Sequence, residues 1–343
     1  IMDDIGVLRQ LVPSVMEKNA HLFTPRPTYR VSFQGGFGGG GGSNSPVGQN
    51  PPAGVIVNYW LKAPAKRLTM EFRDSTGRTI RSFDNDTMPP RASPAAGAPA
   101  ADDGGGRFAA AAEPRVANRA GMNTFSWNLR EGDASRFDGM IYWAAGTTGP
   151  LLPPGTYSVR LLVDGVSVGD TKFLVKKDPR SNATPADLIA QYKLLMKVRD
   201  RTTDANDAVR TVRYVRAQLD ARAKDLGRDS VAFRALAKAL DAKASEIEAM
   251  VYQVKNQSGQ DPLNYPIRVN NQIAALAGVI GSTEARPTKQ SIEVFNILGK
   301  ELEGYLVQLR QVWKDLLPPV DAFLKERGKA PIEVKASDVR ARG

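Results

Sequence analysis

Glu131, Asp133 and Asp138 share one short stretch with Trp143, and they are the carboxylates whose types and spacing come closest to chemistry. Two carboxyl groups on opposite walls of a cleft can cleave a glycosidic bond, one as acid and the other as base or nucleophile. Acids strung along a single loop do not place themselves that way, so the stretch assigns no catalytic residue. A second group, Asp84-Asn85-Asp86-Thr87 with Asp102-Asp103, offers the oxygen donors that calcium prefers, without the spacing of a calcium loop. Turn and solvated-loop roles explain it better, and no metal ligand is assigned. Trp60, Trp127, Tyr142 and Trp143 carry faces on which a sugar ring could stack. In a sheet core built without cysteines they are expected inside instead. The chain has one histidine, His21, and no cysteine, which leaves no disulfide, no thiolate metal site and no multi-histidine site. His21 stands beside Leu22 and Phe23 and reads as a packed or capping side chain. The run GGFGGGGGSNSP is not followed by Gly-Lys-Ser/Thr, so it is not a phosphate loop. No cofactor site is expected, and the chain is read as non-enzymatic.

The formal net charge of +11 points to an acidic partner, either protein or an anionic lipid surface. Arg199, Arg201, Arg210, Arg213, Arg216 and Arg222 recur along one helical stretch with Asp200, Asp204, Asp207 and Asp220 among them. That mixture reads as a solvated, salt-bridged face. Nucleic acid is not an expected partner, because no exposed aromatics interleave with the basic residues and no known module is present. On this reading Arg216→Ala changes stability by no more than about half a kcal/mol.

The elements around these residues change character once. Tyr157, Val159, Leu161 and Val163 alternate with period two, Asp164-Gly165 is a hairpin turn, and a return strand runs from Val166 to Val175. Val55 to Lys62, Arg67 to Arg73, Arg78 to Phe83 and Gly121 to Leu129 read as further strands, and Ile141 to Trp143 as a strand or part of a long loop. After Asp178-Pro179 the period becomes 3.6. Thr184-Pro185-Ala186-Asp187 starts a long helix that Gly227 ends. Phe233, Leu236, Leu240, Ala244, Ile247, Val251 and Val254 mark the seam of a second helix. Ile273, Leu276 and Ile280 mark a third. A fourth runs from Thr288 to Leu317, where Pro318-Pro319 is expected to break or kink it before a short continuation to Arg327. The expected fold is a multidomain β plus α protein: an immunoglobulin-like β-sandwich followed by an antiparallel helical bundle of about four helices. The expected boundaries are an extended N-terminal arm over 1–34, a Gly-rich linker over 35–52, the sandwich over 53–178 with a disordered insert near 89–114, the bundle over 179–327, and a tail over 328–343. No apolar run is long enough to span a bilayer. The chain opens on Ile1, as expected of a processed product or of a piece of a longer precursor.

Several motifs together resemble the C-terminal region of bacterial sortilin-like β-propeller proteins, often labelled BNR-repeat glycosyl hydrolases. They are Asp3-Asp4-Ile5-Gly6-Val7-Leu8-Arg9-Gln10-Leu11, His21-Leu22-Phe23 with Pro25-Arg26-Pro27, Leu152-Pro153-Pro154-Gly155-Thr156-Tyr157, Asp261-Pro262-Leu263-Asn264-Tyr265-Pro266 and Ala285-Arg286-Pro287-Thr288. The resemblance covers almost the whole chain. It implies that any binding or hydrolytic site belongs to a propeller that this chain does not contain, so no family catalytic residue maps onto it. The expected role is a periplasmic or outer-surface protein–protein interaction module, a structural accessory subunit of a larger assembly such as a photosynthetic or respiratory membrane complex. The alternative is an accessory, carbohydrate-binding region of a propeller hydrolase. Leu8, Leu11, Leu22, Phe23 and Tyr29 are the expected partner-binding residues, because the arm is too apolar for a solvated tail and too short for a core.

Overall fold

A computed structural model describes residues 5–31, 54–85 and 114–334. The protein is a mixed β plus α chain with two sheets and six α-helices among these residues. The Gly-rich linker over 35–52, the expected insert near 89–114 except its last residue, and the tail beyond 334 lie outside them.

Strands form where apolar residues alternate. β3 (Val55–Leu61) and β4 (Leu68–Arg73) bury every second residue, and β6 (Gly121–Trp127) turns Asn123, Phe125 and Trp127 inward. β7 (Gly155–Val163) and β8 (Val166–Lys177) form the expected hairpin. Both turn residues, Asp164 at φ +51° and Gly165 at φ +84°, are left-handed, as a tight two-residue hairpin requires. With β1 (Ala20–Leu22), β2 (Thr28–Arg30) and β5 (Thr79–Asp84), the strands make a three-stranded sheet, β1-β3-β6, and a five-stranded sheet, β2-β8-β7-β4-β5. Among the described residues only β2 pairs in parallel, with the end of β8. One apolar core lies between the sheets, and Phe72 of one stacks on Trp127 of the other at 4.3 Å. Ile141 to Trp143 is loop, not strand.

The segment read as an arm is drawn into this core. Its two strands are hydrogen-bonded into different sheets, β1 beside β3 and β2 beside β8. Two short helices precede them, α1 (Gly6–Gln10) and α2 (Pro13–Glu17).

α3 (Pro185–Asp225) starts at a complete capping box. Thr184 accepts from the Asp187 N–H, and the Asp187 carboxylate accepts from the Thr184 N–H. At 41 residues it is about 60 Å long. α4 (Ser230–Val251) returns antiparallel to it, as Arg216 with Asp241 and Arg213 with Glu248 show. α5 (Val269–Ile280) continues in the same direction, with Asn270 at Asn206 and Ile280 at Gln191. α6 (Lys289–Lys325) then runs alongside α3. The four longer helices therefore make three rods, the middle one interrupted between α4 and α5. The expected number of about four long helices is met by α3, α4, α5 and α6, with α4 and α5 placed end to end along α3.

Of the expected break or kink at Pro318-Pro319, the break is absent: α6 runs through both prolines as one helix. Both prolines and residues Lys314 and Asp315 are exposed, so water can take the carbonyls left without a partner, while Leu316, Leu317, Val320 and Leu324 hold both flanks in the core. In α4, Phe233, Leu240, Ala244, Ile247 and Val251 are buried as expected, but Leu236 is exposed and Val254 lies exposed beyond the end of the helix.

Candidate interaction surface

The break in the middle rod holds the joint between sheets and helices. The loop over 130–150 enters it. Phe137 packs edge-on against Tyr252 at 4.8 Å, and the Arg213 guanidinium covers both rings. Asn206, fully buried in α3, accepts from the Tyr142 hydroxyl at 2.7 Å and from Asn270 at 3.1 Å, and donates to the Ser135 carbonyl at 2.7 Å. Asn271 meets both backbone groups of Trp143, accepting from its N–H at 2.7 Å and donating to its C=O at 2.9 Å. Tyr252 accepts from the Ile141 N–H and donates to the Gly139 carbonyl. A buried side chain that takes up a loop backbone in this way satisfies groups that would otherwise be stranded. Sequence reasoning missed this joint. The signal was the asparagines: Asn206, Asn270 and Asn271 are poor helix formers placed inside helices.

The candidate chemistry dissolves into the same joint. Glu131 is buried and accepts from Arg78 at 2.9 Å and from the Tyr192 hydroxyl. Burial and that acid together push the Tyr192 phenol well above its ordinary range. Asp133 accepts from the Gly149 N–H at 2.9 Å, and Asp138 is exposed. Asp84 accepts from Thr69 and Arg67, and Asn85 accepts from the Leu68 N–H, while Asp86, Thr87, Asp102 and Asp103 lie outside the described residues. Among the described residues no three or more metal-ligating side chains form a group. Trp127 is buried, Trp60 and Tyr142 are half-buried, and Trp143 is exposed, so the four aromatics do not assemble a stacking face. His21 packs edge-on against Phe23 at 4.8 Å, and burial with nearby Lys18 lowers its pKa.

The arginines of α3 are paired, and two reach inside. Arg213 bonds Glu248 at 2.7 Å, and Arg216 bonds Glu248 at 3.0 Å, Asp241 at 3.0 Å and Ser245 at 2.6 Å. The Glu248 side chain is only 3% exposed. Arg216 is therefore not on a merely solvated face, because it is one of two guanidinium groups that hold the buried Glu248 carboxylate.

The expected partner-binding residues divide. Leu22 and Phe23 are buried in the protein itself, because β1 pairs with β3 and the Phe23 N–H donates to the Asn58 carbonyl. They are not free to meet a partner, which corrects their assignment. Leu8 is 52% exposed and Tyr29 47%, and Leu11 is half-buried. Ile5, Val12 and Met16 join Leu8 as exposed apolar side chains along α1 and α2. Gln10 fixes this segment through two bonds to the backbone of Thr24. A second apolar feature is an open groove of about 790 Å³ between α4 and α6, where Met250, Val312 and Leu316 lie between Lys243, Glu246 and Asp315. No helix among the described residues is long and apolar enough to cross a membrane.

Comparisons of the chain with family models, with curated proteins and with solved structures gave no match.

Proposed function

We propose that this chain is a non-enzymatic protein–protein interaction module, an accessory subunit that docks onto a larger assembly. The observation that carries the reading is the set of exposed apolar side chains Ile5, Leu8, Val12 and Met16 along the segment that holds α1 and α2, which Gln10 ties to the backbone of Thr24. Isolated exposed apolar residues need no explanation, but a run of them on one short segment marks a contact surface. The joint described above supports the reading, because it makes sheets and helices a firm platform behind that surface. The acidic partner surface and the bacterial periplasmic or outer-face location follow from the net charge and from the resemblance, and belong to the same proposal.

The sheets are best read as an immunoglobulin-like sandwich. Three features support this: the strand order of the two sheets, the short β2 parallel to the last strand, and Tyr157 at the start of β7 donating back to the Pro153 carbonyl at 2.7 Å. Capture from detergent-solubilised source membranes, read by mass spectrometry, tests the docking. The same partners should be recovered with the wild-type chain and lost with a Leu8→Ser, Val12→Ser, Met16→Ser variant of unchanged melting temperature. Equal recovery with both would refute the surface.

A further inference from the structure

Among the described residues the two sheets have four edges, and three of them are blunted. β1 and β2 are three residues long, and Pro25 and Pro27 follow β1. β5 carries Arg81, shares a register shift with β4, and accepts a bond from the Val116 N–H at Asp84. Short strands, prolines, charges and bulges are the devices by which proteins keep edges from pairing. β6 has none of them. It is seven residues long, Gly-Met-Asn-Thr-Phe-Ser-Trp, uncharged and free of proline, with unbroken register against β3.

Which of its backbone groups face outward follows from β3. The Phe23 N–H donates to the Asn58 carbonyl and the Lys62 N–H to the Asn19 carbonyl, so the even-numbered residues of β3 address β1. The odd-numbered ones, Val55 to Leu61, then address β6 and bond Gly121, Asn123, Phe125 and Trp127. Met122, Thr124 and Ser126 are left with N–H and C=O groups directed away from the sheet. Among the described residues no backbone bond reaches these groups. Their side chains lie on the outer face, with Met122 41% exposed and opposite Trp60.

We infer that the β6 edge is a second docking site of the proposed interaction module, and that it takes an extended partner segment as an added antiparallel strand. A row of alternating donors and acceptors at strand spacing specifies a β-strand backbone more narrowly than an apolar face specifies any occupant. Charge favours an acidic segment: β6 itself is uncharged, and Arg115 and Arg119 lie exposed just before its first residue. In antiparallel pairing the C-terminal end of the added strand comes beside these arginines. The occupant is therefore a segment that alternates β-branched residues and ends in acidic ones.

The inference rests on the interaction-module reading, but its test does not use α1 or α2. The probe is a short synthetic peptide that alternates threonine and valine and ends in glutamates, with amide hydrogen exchange as the readout. In the free protein the amides of Met122, Thr124 and Ser126 should exchange at least tenfold faster than those of Asn123 and Phe125. Saturating peptide should slow them at least tenfold, and added salt should weaken binding. Thr124→Pro removes an outward N–H, no backbone bond to β3, and the exposed bond from the Thr124 hydroxyl to the Asn58 side chain at 2.8 Å, so Thr124→Ala is its control: the two should melt alike, and only the proline variant should lose the peptide. A peptide N-methylated on its bonding edge should fail against the unaltered protein, which covers the case in which the proline variant does not fold. Slow exchange at all three amides in the free protein would overturn the inference. If that protection grows with protein concentration, a second copy occupies the edge; if it does not, the chain covers its own edge. Peptide binding that leaves the three amides unprotected would overturn it as well.

Discussion

Arg216→Ala separates the structure from the sequence-based expectation by a measurable margin. A solvated arginine costs about half a kcal/mol or less to remove. Here Glu248 is buried with its side chain 3% exposed, and Arg213 and Arg216 are the two bases that hold it. Removing Arg216 leaves that carboxylate with one base where it had two. A hydrogen bond to a charged group is worth about 1.5–3 kcal/mol, and complete orphaning of a buried charge about 3–5 kcal/mol. Because Arg213 stays in place, the lower range applies, and Arg216→Ala should cost about 2 kcal/mol. For a unit of this size that lowers the melting temperature by roughly 4–8 °C. A double-mutant cycle isolates the cause. In a Glu248→Gln background no buried charge is left to orphan, so Arg216→Ala should fall back to about half a kcal/mol. The assay is chemical denaturation followed by circular dichroism at neutral pH. A cost below half a kcal/mol in the wild-type background, or the same cost in both backgrounds, would refute the reasoning.

Three other outcomes follow from the packing. Leu240 is fully buried among Val215, Leu219, Phe233 and Val320, so Leu240→Asp should destabilise the helices by about 4 kcal/mol or more, seen as an early helical melt. Asn206→Ala strands the Tyr142 hydroxyl and the Ser135 carbonyl and should cost about 2–3 kcal/mol by denaturant titration, with the Ile141 and Trp143 amides exchanging faster as the loop loosens. Burial pushes the Tyr157 phenol up to about 12, so the stability it contributes is complete below pH 10 and is lost as pH rises toward 12. Tyr157→Phe should cost about 1 kcal/mol at neutral pH and make the alkaline decline shallower than in wild type, as measured by denaturant titration across that window.

Periodicity was enough to locate the strands from Val55 to Val175 and the four longer helices, because each buries one face along a regular pattern. What it could not supply was which elements meet. The joint depends on isolated polar residues: Asn206, Asn271 and Tyr252 have partners far away in sequence on an irregular loop, and Asn270 reaches Asn206 on another helix. No local pattern encodes that pairing. The same limit hid Leu22 and Phe23. Apolar residues between prolines look equally suited to a partner and to the protein's own sheets, and only the β1–β3 pairing decides it. Pro318-Pro319 misled for the opposite reason: a local rule was outweighed by tertiary packing on both sides.

We propose that the protein docks through the exposed apolar side chains of the segment that holds α1 and α2. Sedimentation velocity of the protein in detergent-solubilised source membranes tests it most directly. The wild-type chain should sediment as part of a species much larger than its own monomer, and the Leu8→Ser, Val12→Ser, Met16→Ser variant should sediment as a folded monomer. A wild-type chain found only as monomer, or a variant that stays in the large species, would contradict the claim.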